Sequence, residues 1–328
     1  MTKSVSQNGS EKHEQPALSH DALFTKSRRY AQRALQAKKE NQEDVYQLWA
    51  SLALELLGKT SLAKIHPSLI VETTNSNSLL EANGISTGTV VRTIDSSMVF
   101  TRLKHTVHRF GTSIFEACKK LAERRNAELH SGHAAFAAMP LESWEGDFWH
   151  AAELILASMH LDLDNWLAAE AKIPKELLEN IRHIKREAAK QSVEHAKARF
   201  DNPDGNKGRN KQEKDQLRNR SKNFKQRDYC DKFKYTLNNR WTHPCPACEC
   251  TGFLGGDMIA ENRADNQDEA EPGFEIVERE YLPVEFFCPT CELHLIEDEA
   301  LNEVGLNNIH VESSKREFGY EDDDYGND

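Results

Sequence analysis

Within six residues the chain sets a guanidinium, an amide and an imidazole: Arg125-Asn126-Ala127-Glu128-Leu129-His130. Histidine titrates near neutral pH and can carry protons, while arginine reads phosphate oxygens with a planar, bidentate fork. Together these groups are the minimum equipment for cleaving a phosphodiester without a metal. Asn126 and His130 are four residues apart and Glu123 precedes Asn126 by three, so on a helix all three share one face. Arg125 is offset around that helix, with a side chain long enough to swing back towards the imidazole. The same residue types also serve as caps for helix-end carbonyls or as partners of surface carboxylates.

A second constellation lies near the other end of the chain. Cys245-Pro246-Ala247-Cys248 and Cys288-Pro289-Thr290-Cys291 are two CxxC pairs separated by 39 residues. Two such knuckles can deliver four thiolates to a zinc ion in tetrahedral geometry. The strand-like stretch Tyr281 to Phe287 leads into the second knuckle, as a zinc ribbon requires. A redox dithiol is the competing reading, but it lacks the βαβ context that makes such thiols reactive. Cys250 and His243 lie beside the first knuckle and compete as ligands. Cys118 falls on an apolar helix stripe and reads as core; Cys230 is uninformative.

The elements that must position these groups are mostly helical. Residues 21–200 carry helical periodicity, with Ile114, Cys118 and Leu121 marking a helix from Thr112 to His130 that Ser131-Gly132 stops. Before it come an apolar helix from Val45 to Ile70, broken at His66-Pro67, and a helix centred on Phe100, Leu103, Val107 and Phe110. After it, Phe148, Ala152, Ile155, Met159, Leu163 and Trp166 trace another stripe, and Pro174 opens a helix that runs to Phe200. Thr73 to Thr89 is the polar, turn-rich interruption.

This order of helices around an Arg-Asn-x-x-x-His string resembles the HEPN family of small helical domains, over roughly Asp21 to Leu167. The Leu-Glu-Leu-Leu run of the apolar helix and the Arg-Arg-Asn string are its most specific parts. The resemblance implies a mainly α fold, a HEPN-like helical bundle followed here by a small β-rich zinc ribbon. It also implies a metal-independent endoribonuclease site, completed when two domains dimerise, with Arg125, Asn126 and His130 as the carried-over positions. Some family toxins carry a tyrosine two residues after the histidine, as a target for nucleotidyl transfer; Gly132 stands there in this chain. A role in toxin or antiphage defence, with a regulatory protein partner, follows from the resemblance alone.

Composition bounds the rest. The chain has 328 residues, room for two domains. Its longest apolar stretch, Leu48 to Leu57, is interrupted by Ser51 and Glu55 and is too short to span a bilayer, and the first twenty residues hold no secretory signal. The expectation is a cytoplasmic protein without a membrane partner, where thiolates bind metal better than they form disulfides. The net charge of −11 hides an asymmetry: residues 202–227 carry nine Lys/Arg against three Asp/Glu, and residues 256–328 carry 22 acids against four bases. A phosphate backbone feels charge within a Debye length, about 8–10 Å at ordinary salt, so the net value decides nothing. The basic segment, with Lys207, Arg209, Lys211, Arg218, Arg220, Lys222, Lys225 and Arg227, reads equally as a solvated linker or as an RNA contact.

The domain expectation is therefore a disordered tail (1–20), a helical domain (21–200), a basic linker (201–228), a zinc ribbon (229–305) with an acidic, turn-rich insert from Asp257 to Glu280, and an acidic tail (306–328). The functional expectation is a homodimeric endoribonuclease acting on RNA, with His130 as general acid or base, Arg125 stabilising charge, Asn126 orienting the imidazole and Glu123 tuning it. Zinc is expected in a structural role only. The alternative is a non-enzymatic helical dimer that binds nucleic acid or protein through the ribbon. A DNA-directed regulator is weaker, because no recognition-helix pattern stands out.

Overall fold

The computed structural model describes residues 17–203, 205 and 208–317. They divide into two compact units. One comprises the residues up to Leu103 with 121–143 and 155–171; the other comprises 104–120, 144–154 and the residues from Lys172 onward. The helices are α1 His20–Lys39, α2 Glu43–Ile65, α3 Ser76–Ala82, α4 Ser96–Thr106, α5 Thr112–His130, α6 Glu145–Ser158, α7 Leu163–Leu167, α8 Lys172–Asp201, α9 Lys211–Ser221 and α10 Asp298–Glu303. The strands are β1 Asn239–Pro244, β2 Thr251–Arg263, β3 Phe274–Phe287, β4 His294–Ile296 and β5 His310–Glu317. The molecule is thus mainly helical with a small antiparallel sheet. No helix among the described residues is long and apolar enough to cross a membrane.

In the first unit α1 and α2 pack along each other. Ser19 caps α1 by accepting from the Ala22 amide at 3.3 Å, and Lys38 and Lys39 sit in its last turn, where the helix dipole favours cations. The face of α1 formed by Leu23, Ala31, Ala34 and Leu35 is buried, whereas α2 buries residues nearly all round, from Tyr46 to Ala63. Gly58 lets α4 approach closely: a Cβ there would lie 2.7 Å from Val99 Cγ1. The break at His66 is real, its side chain capping the turn Pro67–Ile70.

In the second unit β1, β2 and β3 form an antiparallel meander; β3 then pairs with β4 near its end and with β5 along its first half. The register Phe253↔Phe287 and Phe287↔His294 brings the β1–β2 and β3–β4 turns to one end of the sheet. Both turns carry a knuckle.

Four boundaries depart from the sequence reading. Helix α8 groups with the sheet, because Ala189, Ala196 and Phe200 share one core with the cysteines, Leu254, Phe286 and Leu295. The segment 201–228 is not an unstructured linker: it contains α9, nucleated by a capping box in which Asn210 and Glu213 satisfy each other's amides. The insert Asp257 to Glu280 is mostly strand: β2 runs on to Arg263 and β3 begins at Phe274, with Glu261 and Glu278 exposed but Asp257 and Glu275 buried. Residues 310–317 of the expected acidic tail pair with β3. The remainder of that tail, 318–328, and residues 1–16 lie outside the described residues, whereas Ser19 and His20 already belong to the start of α1.

Candidate functional site

Helix α5 runs from Thr112 to His130, as its periodicity requires. Its buried stripe is Ile114, Cys118, Leu121, Ala122 and then Arg125, which is only 9% exposed. A guanidinium on an apolar stripe must find acceptors inside. Arg125 Nη1 donates to Glu55 Oε2 at 2.5 Å, Nη2 to Ser96 Oγ at 3.3 Å, and Nε and Nη2 to Asn126 Oδ1 at 3.3 and 3.0 Å. Lys59 Nζ reaches the other Glu55 oxygen at 2.8 Å and Thr93 Oγ1 at 3.1 Å. Burial pushes the Glu55 carboxyl up, but the Lys59 charge and the Arg125 bond outweigh it, and the carboxyl stays below its ordinary range. All of these residues belong to the first unit.

Two expected roles change accordingly. Arg125 turns inward to Glu55 rather than back to the imidazole, and the Asn126 oxygen is occupied by Arg125 rather than orienting His130. No hydrogen bond joins His130 to either residue. Glu123, Asn126, Leu129 and His130 are exposed at the end of the helix, and Leu129 is 53% exposed. One further feature was not anticipated: Arg124 holds its Nη1 buried with no hydrogen-bond partner among the described residues. The doubled arginine Arg124-Arg125 was the available signal.

The four knuckle cysteines meet as expected. All are buried and unoxidised, and their sulfurs lie within 4.8 Å of one another. Cys245 Sγ is 3.5 Å from Cys291 Sγ, and Cys248 Sγ is 3.6 Å from Cys288 Sγ. A tetrahedral zinc site with bonds of about 2.3 Å has sulfur–sulfur edges of about 3.8 Å, so the set could bind a metal ion such as zinc. The two turns repeat one another. Cys245 N donates to Cys250 O at 2.8 Å and Cys288 N to Leu293 O at 2.9 Å, while Glu249 and Glu292, each following a second cysteine, take φ of 63° and 57°. Hydrogen bonds from Cys245 and Cys248 pull the Cys288 and Cys291 thiols below their ordinary range. Cys250 is buried beside the group but outside it, and His243 Nδ1 is taken by the Pro244 carbonyl at 2.9 Å. Burial pushes the Cys118 thiol up, as suits a core residue.

The basic segment divides by role. Arg218 Nε donates to Cys248 O at 3.2 Å and its fork pairs with Glu249 at 2.9 Å, so it braces the first knuckle. Arg209 donates to Phe200 O at 2.7 Å and lies over the Phe200 ring. Lys211, Arg220, Lys222, Lys225 and Arg227 remain exposed; Lys207 lies outside the described residues.

The sequence reading did not foresee a cavity of about 50 Å³ within the second unit, where Asp147, His150, Lys185 and Asp298 converge. Its lining comes from segments far apart in the chain, and no spacing rule connects them. Comparison with family models, with curated proteins and with solved structures returned no match.

Proposed function

We propose that the chain is a metal-independent endoribonuclease, working as a homodimer, with His130 as its proton-transfer group. One observation carries the reading: His130 stands exposed one turn beyond Asn126 on a helix end that the buried Arg125–Glu55–Lys59 network holds in place. An imidazole so placed is open to a large substrate. In the cleavage step the ribose 2′-oxygen attacks phosphorus and loses its proton to one His130, while the bond to the 5′-oxygen breaks and that oxygen takes a proton from the His130 of a second copy. Arg125 acts as a positioning residue for the helix end. The exposed cations Lys211, Arg220, Lys222, Lys225 and Arg227 hold the RNA backbone. Zinc, bound by the four knuckle cysteines, plays a structural part: it would lock the two turns together and do no chemistry on RNA.

The binding-module reading draws on a different observation, that the Arg125 fork is already filled by Glu55, Ser96 and Asn126. The nature of the product ends separates the two. Incubating the purified chain with total RNA and EDTA for a short time should yield fragments ending in 2′,3′-cyclic phosphate with 5′-hydroxyl partners. Intact RNA would favour the binding module, and 5′-phosphate ends formed only with magnesium would refute the mechanism.

A further inference from the structure

The cavity of the second unit is bounded by α6, α8, the later half of β3 and the start of α10. Its polar groups are unequally satisfied. Lys185 Nζ is paired with Glu297 at 2.5 Å and Arg109 with Asp298 Oδ2 at 2.8 Å, so both cations are committed. The acceptors are not. Asp298 Oδ1 is buried with no hydrogen-bond partner, and no hydrogen bond reaches the Asp147 carboxyl, each among the described residues. Ile114, Leu154 and Val284 supply apolar wall. Burial, ahead of the nearby Lys185 charge, pushes the Asp147 carboxyl up from its ordinary value. A half-buried carboxyl without a hydrogen bond, beside the buried and unpartnered Asp298 Oδ1 in a concave site with convergent polar groups, suits a binding position.

We propose that this cavity binds a small organic cation, an ammonium or guanidinium head on a short apolar stem, with Asp147 and Asp298 Oδ1 accepting its N–H groups. The unfilled acceptors call for a donor-rich guest, and the free volume of about 50 Å³ suits a compact head rather than a whole cofactor. A phosphate or carboxylate would meet Asp147 and Glu299 as like charges. The site is independent of the RNA-cleavage reading, since it shares no residue with it.

Calorimetric titration of the full chain with butylammonium and with butylguanidinium tests it, with 1-butanol as the neutral isostere of the ammonium. Saturable binding of a cation, weakened at least tenfold in Asp147→Asn and abolished in Leu154→Phe, which fills the cavity and keeps the carboxyl, is expected. The thermal midpoint of Asp147→Asn should equal or exceed that of the parent, because a penalised charge is removed. A lysine-bearing peptide compared with its norleucine counterpart distinguishes the two sources of such a head: tighter binding than butylammonium points to a protein side chain, weaker binding to a free amine. Absence of saturable binding by either cation, equal binding of 1-butanol, unaltered affinity in Asp147→Asn, or a lowered midpoint for that variant would overturn the proposal.

Discussion

The Arg125 network of the first unit and the cysteine cluster of the second are both buried polar assemblies, yet only the first supplies its own counter-charge. Glu55 is met by Arg125 and Lys59, and the Arg125 fork is shared among three acceptors. The four cysteines have no cation of their own: their sulfurs bond only to one another and to backbone. A buried group that is fully partnered holds a fold together; a set of buried thiols crowded within 4.8 Å could instead be completed by a metal ion. The contrast assigns Arg125 to architecture and makes metal dependence of the second unit the thing to test.

The largest effect should follow from breaking the incomplete assembly. Structural zinc contributes on the order of 10 kcal/mol in small domains, so Cys288→Ser should lower bound zinc from one per chain to none. Because α8 shares the cysteine core, amide protection should fall along Ala189–Phe200 as well as in β1–β4, while α1 and α2 keep theirs. Hydrogen exchange and metal analysis check this together; retained zinc and retained protection would remove the dependence on metal.

Arg125→Ala comes next. Removing one partner of a buried ion pair costs about 3 kcal/mol at the lower end of the usual range, and the lower end applies because Lys59 still neutralises Glu55. Denaturant midpoints should show it, with Arg125→Lys recovering part of the loss, since a point charge cannot serve Glu55, Ser96 and Asn126 at once. A neutral Arg125→Ala would contradict the architectural role.

Acid gives a third handle on the same network. The Glu55 carboxyl is depressed in the folded chain, so its contribution is present above the unfolded value and is lost as pH falls through the folded one. Stability should therefore decline below about pH 4.5, near the ordinary carboxylate value, and Glu55→Gln should flatten that part of the decline in a pH series of thermal midpoints.

The smallest effect concerns the exposed cations from the last turn of α9 onward. Neutralising Arg220, Lys222, Lys225 and Arg227 together should reduce the slope of log affinity against log salt by up to about 3, at roughly 0.7 per contact with single strands. Filter-binding titrations at several salt concentrations measure it. An unchanged slope would leave these residues as ordinary surface.

Much of the architecture was written in the residues. The bounds of α5, the break at His66 and the four knuckle cysteines followed from periodicity, a His-Pro step and CxxC spacing. Other features had signals that went unread. Arg125 continues the stripe Cys118, Leu121, Ala122, which foretells burial, and Asn210 with Glu213 is a capping-box pattern ahead of α9. The end of β3 was legible as the strand-like stretch Tyr281 to Phe287, but β2 and the start of β3 were hidden, because Asp257 and Glu275 are buried acids and Gly252, Gly255 and Gly256 blur the alternation of β2. The cavity around Asp147 was out of reach, because tertiary packing alone brings residues near 110, 150, 185, 284 and 298 together.

His130 is an exposed member of a string whose Arg125 is committed to Glu55, Ser96 and Asn126. The direct measurement is the single-turnover rate of RNA cleavage by the parent chain and by His130→Ala, in EDTA, with thermal midpoints recorded in parallel. A placed general acid or base contributes about 10²–10⁴-fold, so the variant should be slower by that factor while its midpoint and zinc content stay unchanged. Cleavage by His130→Ala at the parent rate would contradict the account and leave the chain as a binding protein.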